Sequence, residues 1–352
     1  MNGNHSHDVS SIPSHLCVFF PSKIVGGHEL MAIELIAELK NIKKSIDIVI
    51  LKDNVELAER IIQSNSNIRL LKIDINQPRL EFLHVIFNFS YLRKVRKEFA
   101  RITKFSQGSL LIIQGDIELG AAFINEAYKN NVSVISYIPY AHTAKKMGKR
   151  LSFFRDIYYK KLYRRVLRYI TISKKFRQDL LSYNPMAKIE VIENKVRDLG
   201  VFKEKRELGK KSIDNIFNIA IIGRVSFKQK GHDILIQAIS LLNTDRQNNI
   251  TLHIVGDGDD FAKLQNDIKK YCPALNVIYY GWCNEPWQKV YFVDLIVIPS
   301  RFEGVPLVML EAMELKIEIL ASNSDGMQDY LDSEDLFVGV EDLAQKIEIK
   351  MS

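Results

Sequence analysis

The sequence predicts an α/β protein built on parallel sheets. Short apolar runs alternate with helix-period segments from Leu16 to Val338. That alternation implies βαβ units with helices on both faces of a parallel sheet. Glycines stand between several of these strands and the helices after them, at Gly26-Gly27, Gly223 and Gly304. N–H groups at such helix starts can meet an anion. The 352 residues fit two domains of ordinary size.

Composition narrows the class. Apolar residues make up 47% and charged residues 26%, as in a folded globular chain. The net charge of +7 calls for an anionic partner, such as phosphate or a membrane surface. No nucleic-acid recognition motif accompanies it, so nucleic acid is not expected. Cys17, Cys272 and Cys283 lack metal-site spacing, and an odd number in a chain this long points to a reducing compartment. The residues before Leu16, with His5, His7 and His15, are expected to be disordered and to hold no metal. They carry no basic n-region, and LCVFF is too short for a signal segment. No apolar run is long enough to span a bilayer. The expectation is a cytoplasmic protein, soluble or peripheral on the inner face of the cell membrane.

The first strand, LCVFF (Leu16–Phe20), runs through PSKIVGGHE into the amphipathic helix LMAIELIAELK. Further strands are expected at Ile46–Leu51, Ile68–Ile73, Ser109–Gln114 and Val132–Ile138, with helices at Val55–Ser64, Leu80–Lys104 and Leu119–Lys129. Ligands of such sheets bind beyond the carboxyl ends of the strands. His142 follows a strand by a few residues, a place that suits a structural or a functional histidine. From Lys145 to Arg168 the chain is strongly basic, with Phe153, Phe154, Tyr158, Tyr159 and Tyr163 interleaved. This stretch is either a solvated face over core aromatics or a surface for anionic lipid headgroups or a lipid-linked acceptor. YITIS, the helix KKFRQDLLS and the strand KIEVIEN follow. Asp198–Asp214 is charged without apolar periodicity and is expected to be a linker. The expected division is residues 16–197, a linker at 198–214, and residues 215–352.

The second half opens with the strand FNIAIIG (Phe217–Gly223). Arg224 and Lys230 then flank a loop that ends at a helix start. An Arg can grip phosphate oxygens bidentately and a Lys adds a point charge. Lys228 competes for the Lys role, and a solvated basic loop is the plainer alternative. Gly256-Asp257-Gly258 follows the next strand and is too short for a dinucleotide fingerprint. Trp282, after the strand NVIYYG, suits either stacking on a base or core packing. The strand DLIVIPS leads into SRFEGVPLVMLEAM, Ser300–Met313. Pro306 suits a first helical position, and Gly304 permits close backbone approach. Glu311 lies about five residues into that helix, roughly 7 Å along it, while Glu303 lies just before it. Either glutamate alone could be a dipole partner or a solvated carboxylate. Together they would flank a diphosphate held at the helix start, with hydroxyls to grip on each side. That is the layout of a nucleotide-sugar.

EGVPLVMLE resembles the E-x7-E signature of the retaining glycosyltransferases of family 4, which have the GT-B fold. The resemblance implies two Rossmann-like parallel-sheet domains facing a central cleft, the first binding acceptor and the second binding donor. It implies that Glu303 contacts sugar hydroxyls, that Glu311 binds ribose hydroxyls, and that the amides of Gly304, Val305 and Leu307 face the diphosphate. Arg224 and Lys230 resemble the pair that neutralises the departing diphosphate, and His142 resembles the cleft histidine. Gly26 and Gly27 resemble the GGxE element near the phosphates, and Gly256 the turn near the nucleotide. At Gly281-Trp282-Cys283 the family's backbone meets the nucleobase. The chain departs from the family at Asn194-Lys195-Val196-Arg197, where N-G-V-D is usual. It departs again at Lys316 and Glu318, where Gly and Pro are usual, and at Asp325, where Gly is usual. It stops at Ser352, short of the longer C-terminal helix that usually crosses back to the first domain. HIVGDGDDF, YGWCNEPWQ and SRFEGVPLVMLEAM are similar to segments of lipopolysaccharide-core galactosyltransferases. This implies a UDP-hexose donor and a glycan or lipid-linked acceptor, with no cofactor and no metal. A GT-B epimerase or hydrolase of sugar nucleotides, and a non-catalytic membrane-associated binding protein, remain as alternatives.

Overall fold

The computed structural model describes residues 12–41, 45–64, 68–78, 80–209 and 216–352. The tail with His5 and His7, and the last residues of the expected linker, lie outside the described residues. The chain divides into two compact units, Met1–Lys195 and Val196–Ser352.

The first unit holds β1 (His15–Phe20), β2 (Ser45–Leu51), β3 (Arg69–Ile73), β4 (Ser109–Ile113), β5 (Val134–Tyr137), β6 (Arg168–Thr171) and β7 (Lys188–Val191). They form one seven-stranded sheet in the order β3-β2-β1-β4-β5-β6-β7, with every pairing parallel. Burial follows position in the sheet. Leu16 to Phe20 of the central β1 are buried throughout, whereas the edge strands β3 and β7 are largely open. A strand covered by helices on both faces must be apolar at every position, which is why β1 reads as an unbroken run. Phe19 packs on Phe123 of the helix Ala121–Lys129, with ring centroids 4.6 Å apart.

The second unit repeats the plan. Its strands are β8 (Phe217–Ile222), β9 (Ile250–Val255), β10 (Asn276–Gly281), β11 (Leu295–Ile298), β12 (Glu318–Ser322) and β13 (Leu336–Phe337). They form a six-stranded sheet in the order β10-β9-β8-β11-β12-β13, again parallel throughout. Ile219, Leu252, Val297 and Leu320 of the sheet share a core with Leu235 and Ile239 of the helix His232–Ser240 and Ile347 of the helix Gly339–Lys350. Burying each such side chain is worth about 1.5–3 kcal/mol.

Four expectations change. The expected disorder before Leu16 does not reach residues 12–15, where Ile12 is buried and His15 opens β1. The helix expected over Leu80–Lys104 breaks into Glu81–Phe87 and Phe89–Phe105. Asn88 divides them because its side chain accepts the Tyr91 N–H at 2.9 Å and caps the second helix. The linker expected from Asp198 holds a helix instead, Gly200–Gly209. This helix is fastened within the second unit, where Arg206 donates to the carbonyls of Tyr291 and Val293 at 3.0 and 2.7 Å. Pro306 is the N-cap residue of the helix Leu307–Glu314 rather than its first residue. No helix among the described residues is long and apolar enough to cross a membrane.

Candidate functional site

In both sheets the order reverses beside the first strand, between β1 and β4 and between β8 and β11. Loops at the carboxyl ends of strands around such a switch point form the crevice where open α/β sheets bind ligands. In the second unit those loops carry most of the residues singled out in the sequence.

The loop after β8 is clamped to the loop after β11. Gly231 stands at φ +67°, and a Cβ there would lie 2.0 Å from the Pro299 carbonyl oxygen. Only a glycine permits that approach. The Arg301 N–H donates to the Gln229 carbonyl at 2.8 Å, and its guanidinium grips Asp233 through two bonds of 2.8 and 2.7 Å. The clamp sets Lys230 Nζ 2.7 Å from Glu303 Oε1. Gln229 Nε2 donates to the other Glu303 oxygen at 3.3 Å, and Arg224 Nη2 donates to Gln229 Oε1 at 3.3 Å. Arg224, Lys230 and Glu303 therefore form one connected set. Lys230 is the lysine that meets Glu303, while Lys228 is exposed. His232, next in the chain, is 1% exposed. Burial and then the nearby Lys230 charge push its pKa down to about 4.

The loop after β12 braces the same turn. Asp325 sits at φ +55°, and its Oδ2 accepts the Glu303 N–H at 2.9 Å. The family's usual glycine there would adopt this conformation freely. Aspartate is among the residues that tolerate it, and here it adds a bond to the site. Lys316, the other glycine replacement, stands at φ +53° just past the end of the helix Leu307–Glu314. Gly326 closes against the Gly304 carbonyl, 2.6 Å from where its Cβ would be. Val305 is 4% exposed. The first-turn N–H groups of the helix, beginning at Leu307, point outward along its axis.

Glu311 lies within this helix. Trp287 Nε1 donates to its Oε2 at 2.8 Å and Arg197 Nε donates to its Oε1 at 2.9 Å. Gly256 stands at φ +147°, with Gly223 O 2.0 Å from where a Cβ would be. Its missing side chain lets the loops after β8 and β9 touch. Trp282 is 73% exposed, which excludes the core alternative and leaves its ring open to stacking.

The remaining singled-out residues belong to the first unit. Gly26 donates its N–H to Glu29 Oε2 at 2.8 Å, and Gly27 begins the next helix. Glu29 is fully buried; burial raises its pKa, but His28 and the Gly26 N–H outweigh burial and lower it overall. His142 is 4% exposed, stacked 4.8 Å from Tyr140 and edge-on to Phe176 at 5.6 Å. The ring is packed between two aromatic side chains on the strand-end side of the first unit. The basic stretch also divides. Lys149 binds Asp116 at 2.8 Å, Arg155 binds Glu118 at 2.7 Å, and Arg165 bonds Asn125 and lies 4.9 Å over the Tyr128 ring. Lys145, Lys146, Arg150, Lys160, Lys161 and Arg164 are exposed. Among the described residues no group of three or more His, Cys, Asp or Glu could hold a metal ion.

Sequence reasoning did not single out Trp287, Asp233 or Arg301 as parts of this site. It noted Arg197 and Asp325 only as departures from a family pattern, and that was their signal.

Known proteins resemble this chain over part of its length. Residues 202–349 match the family model described as Glycosyl transferases group 1. The lipopolysaccharide 1,6-galactosyltransferase of Salmonella typhimurium is 30% identical over 206 residues, covering 54% of this chain and 55% of that protein. Protein CapJ of Staphylococcus aureus is 28% identical over 260 residues, covering 70% of this chain and 64% of that protein. The chain spans about half the length of the curated relatives it matches. Among solved structures, the apo lipopolysaccharide outer core galactosyltransferase WaaB superposes with a TM-score of 0.69 at 18% identity, covering 96% of this chain and 91% of that one. Anabaena HepE in complex with UDP superposes with a TM-score of 0.71 at 17% identity, covering 95% and 89%. At these identities the structural likeness establishes the fold, two parallel-sheet α/β units of the GT-B type. Within that fold, residues 202–349 of the second unit are similar to the glycosyl transferases group 1 family.

Proposed function

We propose that the protein is a retaining glycosyltransferase. It moves a hexose from a UDP-sugar to a glycan or lipid-linked acceptor in the assembly of lipopolysaccharide or another surface polysaccharide. The observation that carries this reading is the joined set Arg224, Lys230 and Glu303 beside the helix that bears Glu311. The names of the Salmonella relative and of the UDP-bound HepE support the sugar and the nucleotide.

The chemistry follows from charge. The bond from the anomeric carbon to the diphosphate oxygen breaks, and the electron pair leaves on the diphosphate. Arg224, Lys230 and the helix start at Leu307 stabilise that charge, which is the work a divalent metal does elsewhere. Lys230 uses one of its three N–H donors on Glu303, so the others remain for phosphate oxygens. Glu303 accepts hydroxyls of the transferred sugar. The acceptor oxygen bonds to the anomeric carbon from the face the diphosphate leaves. Its proton passes to the departing phosphate oxygen, which gives retention without a protein nucleophile.

In this proposal the first unit binds the acceptor. It holds a cavity of about 340 Å³ lined by Ile75 and Pro78 together with Asn76, Gln77, His84, Asn88 and Lys94, a mixed set that offers hydrogen-bond partners for hydroxyl-rich ligands. The same unit would rest on anionic lipid. On the helix Ser152–Arg165 the residues Phe153, Phe154 and Ile157 are exposed along one face, followed by Lys160, Lys161 and Arg164. Apolar tips with cations behind them suit a headgroup boundary.

The test is UDP release from UDP-galactose and UDP-glucose in excess EDTA, with and without lipopolysaccharide-core and capsule acceptors. Acceptor-dependent release is expected. Release that ignores acceptors would mark a hydrolase, UDP-sugar interconversion without release would mark an epimerase, and binding without turnover would mark a binding protein. A requirement for Mg²⁺ or Mn²⁺ would overturn the metal-free mechanism.

A further inference from the structure

We infer that Arg197 is a positioning residue that, with Trp287, presents the Glu311 carboxylate to the two hydroxyls of a ribose. This rests on the reading of Glu311 as the ribose acceptor.

Arg197 follows directly after the chain enters the second unit, at the place where an acidic residue is usual in the family it resembles. Its charge is therefore reversed relative to that pattern, and the structure shows where the charge goes. Arg197 Nε donates to Glu311 Oε1 at 2.9 Å and Nη1 donates to Glu285 Oε1 at 2.6 Å. Trp287 Nε1 donates to Glu311 Oε2 at 2.8 Å. Each oxygen of Glu311 thus receives one protein donor. An ionised carboxylate offers about four lone-pair sites, so one remains on each oxygen. A vicinal diol carries two O–H donors on adjacent carbons and can bridge such a pair.

The support is firm on one side and open on the other. Trp287 is fully buried, which fixes its indole N–H. The Glu311 side chain is 12% exposed, which leaves its carboxylate an outlet to solvent. Glu285 holds the far end of Arg197, whose planar fork serves two carboxylates at once in a way a lysine ammonium does not. A glutamate free to rotate would lose that freedom when the nucleotide bound. Here the ordering precedes the ligand, and preorganisation raises affinity by lowering the cost of binding.

The consequence is selectivity for ribose over 2′-deoxyribose. The experiment is calorimetric titration with UDP and with 2′-deoxy-UDP. It uses wild type, Arg197→Ala, Arg197→Lys, Glu285→Gln and Glu311→Ala, with melting temperatures as a check on folding. Wild type is expected to prefer UDP by about tenfold or more, since a site built to bond a hydroxyl discriminates strongly against its loss. Arg197→Ala should bring the ratio close to one while keeping the melting temperature. Arg197→Lys and Glu285→Gln should give intermediate ratios. A purely structural ion pair would lower both affinities together and leave the ratio alone. An unchanged ratio in Arg197→Ala, beside a lost ratio in Glu311→Ala, overturns the inference and leaves the reading of Glu311 intact. Equal binding of the two nucleotides by wild type, or no binding of either, overturns both.

Discussion

The two units share a strand order around their first strand but differ in how deeply they bury carboxylates near the strand ends. In the second unit the ionic groups at the carboxyl ends of the strands remain partly open. Lys230 and Glu303 are 20% and 12% exposed, and Arg197 is 37% exposed. The first unit also has an open pair, Lys52 with Asp74, but two of its carboxylates are shut in. Glu118 is 4% exposed and accepts bonds from Arg155 Nε at 2.9 Å, Arg155 Nη2 at 2.7 Å and the Tyr159 hydroxyl at 2.7 Å. Glu81 is 2% exposed, between Gln77, Tyr91 and the Ala122 N–H. An open ion pair can exchange a partner for a ligand. A buried one is held by the penalty of leaving its partner uncompensated. One scaffold thus carries partly open charges at the candidate site of one copy and deeply buried carboxylates in the other.

The sharpest way to break this contrast is at the buried network. Glu118→Ala should destabilise the first unit by about 3–5 kcal/mol, because it removes the buried carboxylate that Arg155 and Tyr159 both bond. Urea denaturation measures this, and a loss below about 1 kcal/mol would mean that water reaches the network. Arg224→Ala is the converse case. Arg224 is exposed, so stability should stay within about 0.5 kcal/mol. Its kcat should fall about 100- to 1000-fold, more than KM rises, because its contact strengthens as the leaving group ionises. A near-normal kcat would remove Arg224 from the mechanism.

Titration sharpens the comparison further. Burial pushes the Glu81 carboxyl up to about 7 from 4.5. Between those values the folded chain keeps a proton that the unfolded chain has released, so this contribution to stability falls as pH rises through the window. His232 runs the other way, down to about 4 from 6.5. There the unfolded chain holds the extra proton, so stability falls as pH drops through that window. Each effect is on the order of 3 kcal/mol, and the two oppose each other in the whole chain. Glu81→Gln should make the stability of the chain rise more steeply from pH 5 to 7, and His232→Gln should make it fall. Identical slopes in both variants and wild type would refute the assignment. The smallest effect per residue is expected at the surface. Lys160→Gln, Lys161→Gln and Arg164→Gln together should weaken binding to anionic liposomes by about fivefold for each cation. Binding should also fall with salt as the Debye length shrinks from about 10 Å at 0.1 M to about 3 Å at 1 M. Arg165 is left out because it is engaged with Asn125 and Tyr128. Wild type that ignores such liposomes at low salt has only a solvated face there.

Much of this was legible in the sequence wherever burial is uniform. β1, β9 and β11 are buried along nearly their whole length and read as unbroken apolar runs. The turn and helix from Glu303 to Glu311 were legible because the motif is local. What escaped was tertiary. Lys230 and Glu303 meet across 73 positions, and nothing local announces the pair. The helix Gly200–Gly209 escaped because it is mostly exposed and so lacks a strong apolar period. Asp325 looked like a lost glycine, since a sequence shows the missing residue type but not the bond that replaces it.

Gly231 implies a pattern of mutational tolerance. Every other residue brings a Cβ to within 2.0 Å of the Pro299 carbonyl, at a backbone angle of +67°, and the strain falls on backbone that cannot step aside. A saturation library scored once for abundance and once for turnover should therefore find position 231 closed on both scores. Position 224 should be open to nearly every residue for abundance and closed for turnover. The distance between the two scores, followed along the loop from 224 to 231, would separate residues that hold the site in place from residues that act in it.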